Sequence, residues 1–441
     1  MSRPIILVTG ANNGVGLGVC ERLLVQLASP CPSDGAALGD GARPRDAVAG
    51  TPFHAADGCT LILACRDRAR AQNAVAHLER LVAQLHDMED DTLQRSTHPS
   101  QFSAQSTGVA PASNDATLRQ RSFSNERSAP LAERGADART HYRRAFCRGT
   151  RIETVALDLA SAESTLACAS DVRRRVPYLT HVVLNAGGSD FTGVNWLLAA
   201  WQMLTAFHGA LTIPSFKQQR VGATSSDGYG WVWQVNVGMH YALVSHLMDA
   251  LRASPYATPS RVVWTGSLEA RAADFHMDDI QCVDPHVTPH PYESTKYQCE
   301  LTAIGMDARL RATGDAHAPR AFSAHPGIVA TNIFGGVIHA WLLVLMKAAF
   351  YVARWTFSSH HVVDAYKGAV AAVYVAVAPA AQLDESARYG AQCTWSGHEY
   401  VHAAHIGGWD ADPPSAERTA RELLTQYDAL LQPYLAKEGA P

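Results

Sequence analysis

The chain opens on an apolar run, Ile5-Ile6-Leu7-Val8, that passes directly into Thr9-Gly10-Ala11-Asn12-Asn13-Gly14-Val15-Gly16. Such a run fits a strand buried on both faces, and residues 17–27 carry the helical pattern that follows it. Between the two, Gly10, Gly14 and Gly16 permit a tight turn. They also let backbone N–H groups approach an anion such as a pyrophosphate at the helix N-terminus. A strand, a glycine turn and a helix in that order predict an α/β fold.

The same alternation continues downstream. Strands are predicted at 60–64, 154–157, 181–184, 261–264 and 321–324, with helices ending near 85 and covering 161–176 and 232–251. This pattern predicts a doubly wound parallel Rossmann sheet, a single domain over 1–441, with its ligand at the carboxyl ends of the strands. Two stretches interrupt it. Residues 29–58 are rich in Gly, Pro, Ala and Asp, and 92–150 in Ser, Arg, Gln, Asn and Ala with few large apolar residues. Both are expected to be insertions without a packed fold. The arginines at 119, 121, 127, 134, 139, 143, 144 and 148 read as a solvated segment. A net charge of −4 gives no case for nucleic acid. Nine cysteines without a CxxC pair predict reduced thiols, and with 4–9 already the first strand no signal peptide is expected.

Chemistry enters at Tyr292-Glu293-Ser294-Thr295-Lys296. A spacing of four on a helix puts Tyr292 and Lys296 on one face. There an ammonium is expected to lower the phenol pKa, so that Tyr292 exchanges a proton with an alcohol or ketone oxygen. Polar or flexible residues also close the predicted strands. Arg66 follows the second, Asp158-Leu159 the third, Asn185-Ala186-Gly187 the fourth and Thr265-Gly266-Ser267 the fifth. Pro326-Gly327-Ile328-Val329-Ala330-Thr331 follows the sixth, and Asn236 lies in the helix behind the fourth. A guanidinium at Arg66 can clamp a 2′-phosphate where NAD enzymes usually carry an acid, which predicts NADPH.

This set, with its TGxxxGxG turn and YxxxK, resembles the short-chain dehydrogenase/reductase family. The resemblance implies that Thr9, Gly10, Asn13, Gly14, Val15 and Gly16 form the cofactor loop. It implies that Asp158 and Leu159 contact the adenine, and that Asn185, Ala186 and Gly187 form the next turn of the cofactor site. The backbone of Ile328 and Val329, after Pro326 and Gly327, would face the nicotinamide amide, with Thr331 near the phosphates. Ser267 would hold the substrate oxygen, Tyr292 protonate it, Lys296 bind the nicotinamide ribose, and Asn236 hold a water linking Lys296 to solvent. Gly266 stands where many relatives have a second serine, and the interval from Ser267 to Tyr292 is longer than usual, implying an inserted loop over the substrate.

Three segments point to a bulky apolar substrate: 195–214 with Trp196, Leu197, Trp201, Leu204 and Phe207, the loop 268–291, and 337–357. At about 1.5 Å per residue the last approaches the thickness of a bilayer. Lys347 at its middle costs about 2.5–3.5 kcal/mol on insertion. It is therefore expected to lie in a membrane interface with Lys347 and Arg354 snorkelling outward, a core helix with a dimerisation face being the other reading.

Residues 226–236, Trp264-Thr265-Gly266-Ser267, Pro291-Tyr292 and the apolar stretch after Thr331 resemble more closely the fungal 3-keto sterol reductases, relatives of the vertebrate 17β-hydroxysteroid dehydrogenase acting on the same ketone. This implies NADPH-dependent reduction of a 4-methyl-3-keto sterol to the 3β-alcohol in ergosterol synthesis. It also implies residence on the endoplasmic reticulum and lipid droplets, catalytic domain facing the cytosol, beside other C-4 demethylation enzymes and oxidosqualene cyclase. A reductase for retinoid or fatty ketones and a non-catalytic NADPH-binding scaffold are the alternatives. His398-Glu399-Tyr400-Val401-His402 spells HExxH, but flanking glycines at 397, 407 and 408 leave little room for the helix a zinc site needs, so no metal is expected.

Overall fold

The computed structural model describes residues 2–36, 38, 50–88, 131–331, 340–409 and 412–435. Its strands are β1 (Ile5–Thr9), β2 (Thr60–Cys65), β3 (Arg151–Ala156), β4 (His181–Leu184), β5 (Phe191–Val194), β6 (Lys217–Gln219), β7 (Arg261–Thr265), β8 (Arg320–His325), β9 (Ala387–Cys393) and β10 (Glu399–His405). Eight of them form one sheet in the order β10-β9-β8-β7-β4-β1-β2-β3, and β5 and β6 form a separate hairpin. All neighbours in the large sheet are parallel except β9 and β10. β1 and β2 are buried along their whole length, as apolar runs at the middle of a doubly covered sheet must be. From β1 the chain moves to β2 on one side, and β4 lies on the other. That reversal opens the crevice where ligands of such sheets bind.

The helices of six or more residues are α1 (Gly14–Leu27), α2 (Arg68–Asp87), α3 (Leu131–Gly149), α4 (Ala162–Arg175), α5 (Trp196–Thr205), α6 (Phe207–Thr212), α7 (Met239–Arg252), α8 (Pro291–Ala312), α9 (Ala340–Trp355), α10 (Val370–Val377) and α11 (Pro413–Leu435). Side-chain caps start several of them: Asn13, Asp67 and Ser161 accept backbone N–H groups at α1, α2 and α4. Pro291 begins α8, where its missing N–H costs nothing. α11 is not among the predicted helices, although Asp412, Pro413 and the apolar spacing of Ala416, Ala420, Leu423, Leu424, Tyr427 and Leu431 mark it in the sequence. It lies across α8, with Tyr427 donating to Gln298 Oε1 at 2.6 Å and Arg309 paired to Asp428 at 2.8 Å.

Composition misleads in parts of both insertions. Within 29–58, Thr51, Phe53 and Ala55 are buried. Phe53 packs edge-on to His181 and under the Arg261 guanidinium. Within 92–150 the structure has helix α3, whose Phe146 and Cys147 enter the core and whose Arg143 is buried and bonded to the Met88 carbonyl. The amphipathic spacing of a few apolar residues outweighed the polar average there. Residues 92–130 lie outside the described residues.

HExxH runs from His398, just before β10, into that strand, where Glu399 is taken by Arg22 at 2.9 Å. Residues four apart on a strand are separated by about 13 Å, so His398 and His402 do not converge. Residues 337–339 lie outside the described residues, while 340–355 are helical. Among the described residues no helix is long and apolar enough to cross a membrane. Lys347 is exposed. Arg354 does not reach outward as expected: its guanidinium lies 4.6 Å from the Tyr351 ring and against Gly397.

Candidate active site

The carboxyl end of β1 turns through Gly10 and Gly14, both at positive φ, into the N-terminus of α1. A Cβ on Gly16 would lie 2.4 Å from the Gly10 carbonyl and 2.5 Å from Asn185 Nδ2, so only glycine fits this close approach. Thr331 closes the loop from the far side, its Cγ2 3.2 Å from where a Cβ of Gly14 would be. The predicted loop, Asn185 and Thr331 therefore come together as a backbone cradle. Ser189 Oγ, just beyond the 185–187 turn, is buried without a hydrogen-bond partner among the described residues. A cradle open to backbone N–H groups at a helix N-terminus fits a dinucleotide pyrophosphate.

A chain of hydrogen bonds braces this cradle. Asn185 Nδ2 donates to the Thr9 carbonyl at 3.1 Å, and the Ala186 N–H donates to Thr9 Oγ1 at 2.9 Å. His240 Nδ1 lies 3.1 Å from the Asn236 carbonyl and Nε2 3.0 Å from Thr9 Oγ1. Burial holds His240 down to about 4, so it is neutral. Nδ1 must then donate to the carbonyl and Nε2 must accept from the threonine hydroxyl. His240 had no sequence signal beyond being one turn after Asn236.

Asn236 sits in a π turn, Gln234–Gly238, ahead of α7. Its side chain accepts from the Gly188 N–H at 2.8 Å, donates to the Gly188 carbonyl at 2.9 Å and donates to Thr295 Oγ1 at 3.0 Å. The Asn236 carbonyl meets His240 and the Cys299 thiol, and the amide clamps the turn after β4 to α8.

Tyr292, Lys296 and Ser267 meet at the ends of β7 and α8. Lys296 Nζ donates to the Thr265 carbonyl at 2.9 Å and lies 6.0 Å from the Tyr292 ring centroid. Lys296 Nζ and Asn236 Oδ1 both close on Gly187. Ser267 Oγ accepts the Glu269 N–H at 3.1 Å. The expected lowering of the Tyr292 pKa is reversed: burial pushes the phenol well above its ordinary value, the Glu269 and Glu293 carboxylates add to this, and hydrogen bonding with Ser267 opposes it. Lys296 turns its ammonium to the Thr265 carbonyl, and burial holds its own pKa down. Gly266 has a structural reason to depart from serine. A Cβ there would meet Glu300 Oε1 at 2.9 Å, a buried carboxyl one turn after Lys296 that burial pushes up to about 7.

The remaining predicted positions divide. Arg66 is exposed directly after β2, and the neighbouring Asp67 is committed to capping α2 through Arg70 N–H at 3.0 Å. Asp158 Oδ1 accepts from Ala160 N–H at 3.0 Å, shaping the loop, and Leu159 is buried. Gly327 takes positive φ after Pro326. Ile328 is not available to a nicotinamide amide as expected. Its N–H donates to the His360 carbonyl and its carbonyl accepts from Val363, both at 2.8 Å. The Val329 carbonyl is also taken, accepting the Thr331 N–H at 2.8 Å.

Beside Tyr292 stands a cluster that the sequence did not signal. Lys217 of β6 pairs with both Glu269 and Glu293, and Phe191 of β5 lies 5.9 Å from the Tyr292 ring. From this hairpin extend α5 and α6, and His208 of α6 meets Thr356 at the end of α9 at 2.7 Å. Trp196, Leu197, Trp201 and Leu204 on α5 and Trp341, Val344, Leu345 and Trp355 on α9 are all exposed.

No family model matches the chain. The sequence is 31% identical over 282 residues to the 3-keto-steroid reductase erg27 of Schizosaccharomyces pombe, covering 63% of this chain and 78% of that protein. It is 29% identical to the 3-keto-steroid reductase of Eremothecium gossypii, covering 63% and 76%. It is 30% identical to the 3-keto-steroid reductase erg27 of Aspergillus fumigatus, covering 57% and 64%. A short-chain type dehydrogenase/reductase from Mycobacterium ulcerans superposes with a TM-score of 0.44 at 14% identity, over 87% of this chain and 86% of that one.

Proposed function

The chain belongs to the 3-keto-steroid reductase family, and we propose that it reduces a 4-methyl-3-keto sterol to the 3β-alcohol with NADPH, a step of ergosterol synthesis. The observation that carries the reading is the convergence of Ser267, Tyr292 and Lys296 beside the Gly10–Gly16 cradle. The reduced nicotinamide, when bound, supplies the hydride to the carbonyl carbon. Ser267 takes the Glu269 N–H on its oxygen, which leaves its own O–H to donate to the substrate oxygen. Tyr292, kept protonated at neutral pH by burial and by its acidic neighbours, gives its proton to the alkoxide as it forms. Lys296, fixed by the Thr265 carbonyl beside Gly187, binds the nicotinamide ribose, and Asn236 positions the turn between them.

Arg66 supports the choice of NADPH, since it is exposed and its acidic neighbour Asp67 is engaged elsewhere. The exposed apolar faces of α5 and α9, joined through His208 and Thr356, support a lip that rests in a membrane interface and receives its sterol there. The endoplasmic reticulum and lipid droplets are the surfaces we assign. Other C-4 demethylation enzymes and oxidosqualene cyclase are the partners within reach of it. The test is NADPH and NADH oxidation with a 3-keto sterol, retinal and a long-chain ketone. Turnover of the sterol with NADPH is expected, and a preference for retinal or the fatty ketone overturns the substrate.

A further inference from the structure

Lys217 is almost completely buried, its side chain 5% exposed. Its ammonium lies between the carboxylates of Glu269 and Glu293, 3.0 Å from the latter. Each carboxylate adjoins a reacting residue: Glu293 follows Tyr292, and Glu269 is two residues after Ser267 and holds its oxygen through the backbone N–H. The same ammonium faces the rings of Phe191 at 5.2 Å and Tyr292 at 5.7 Å. Gln219, also on β6, donates to Glu293 Oε2 at 2.7 Å and accepts the Tyr292 N–H at 3.2 Å. Arg271 reaches Glu293 at 3.7 Å but pairs more closely with Asp274 at 2.7 Å. The other titratable groups facing the phenol are Lys296 and Cys299.

A buried ion pair adds little net stability, so docking the hairpin alone gives no reason for this arrangement. Apolar residues would serve that purpose as well. What the site does require is control of the field at Tyr292, because two carboxylates facing a phenol disfavour its ionised form. Burial pushes both carboxyls up: at Glu293 Lys217 and Gln219 outweigh it and leave this carboxylate charged, whereas at Glu269 burial prevails over Lys217 and holds the pKa above the ordinary value.

We propose that Lys217 is a positioning residue of the reductase site, which seats the β5–β6 hairpin on Ser267 and Tyr292 and offsets the two carboxylates that face the phenol. The proposal rests on the reductase reading above. In the reverse reaction, oxidation of a 3β-hydroxy steroid by NADP⁺, Tyr292 must be ionised to accept the proton. On the acidic limb, kcat/KM therefore follows the phenolate fraction. Removing the ammonium in Lys217→Met raises the phenol pKa and moves that limb to higher pH. Removing a carboxylate in Glu269→Gln moves it to lower pH.

The experiment measures pH profiles of steroid oxidation by the wild type, Lys217→Met, Lys217→Arg and Glu269→Gln, with NADP⁺ binding followed by tryptophan fluorescence. The expected result is a limb displaced upward by about one unit in Lys217→Met, hence about tenfold slower at each pH along it. Glu269→Gln is displaced downward, and Lys217→Arg stays near the wild type. Limbs that do not move, or that move the same way in Lys217→Met and Glu269→Gln, overturn the role. If Lys217→Met no longer binds NADP⁺, Glu269→Gln decides alone: a downward limb supports the role and an unmoved one overturns it. A wild type that oxidises no 3-hydroxy steroid overturns the reductase reading, and this inference with it.

Discussion

The two walls of the cleft are built by different means. On the cofactor side the groups that matter are backbone, and glycine alone allows their approach at Gly10 and Gly16. On the substrate side the structure relies on a buried ion cluster around Lys217 and on helices whose apolar faces stay open to solvent. The first wall tolerates almost no change at its closest contacts. The second is held at a few points and otherwise free, which suits a surface that must admit a large apolar molecule.

That contrast is broken most severely at Gly16. Gly16→Val would drive a side chain into the Gly10 carbonyl and Asn185, both fixed, and NADPH affinity in a fluorescence titration should fall by about 100-fold. Binding close to the wild type would mean that the cradle is not rigid. Arg66→Glu sharpens the same side at its exposed edge. Losing one charge-assisted clamp should reduce the preference for NADPH over NADH, measured as a ratio of kcat/KM values, by about tenfold or more. An unchanged ratio would remove Arg66 from the cofactor site. The smallest effect on folding belongs to the second wall. Leu197 and Leu204 are 87% and 86% exposed, so changing both to serine should alter stability in urea by no more than about 0.5 kcal/mol while reducing sedimentation with phospholipid vesicles. A large loss of stability would show α5 to be packed, and unchanged sedimentation would contradict the proposal that it faces a membrane.

Legibility in the sequence divides along the same line. The parallel strands and the cradle could be read because each is local: an apolar run ending in a glycine turn or a short polar motif reports its own conformation. Ser267, Tyr292 and Lys296 could be read for the same reason. The Lys217 cluster could not, because its members are 52 and 76 residues apart and nothing local marks a lysine as buried. The direction of the Tyr292 shift failed similarly. The helical spacing that puts Lys296 nearby says nothing about Glu269, which arrives from another loop. His240 and Glu300 were hidden by their distant partners, Thr9 and Arg388. Composition failed over α3, where three buried residues, Arg143, Phe146 and Cys147, set the outcome against a polar average.

Steady-state NADPH oxidation with a 4-methyl-3-keto sterol, compared between the wild type and Tyr292→Phe, bears most directly on the whole reading. The wild type should consume one NADPH for each 3β-alcohol formed. Tyr292→Phe should bind NADPH as well but turn over about 10²–10⁴-fold more slowly. Equal rates in the two proteins would contradict the assignment of Tyr292 as the proton donor, and a wild type that leaves the sterol ketone untouched would contradict the function.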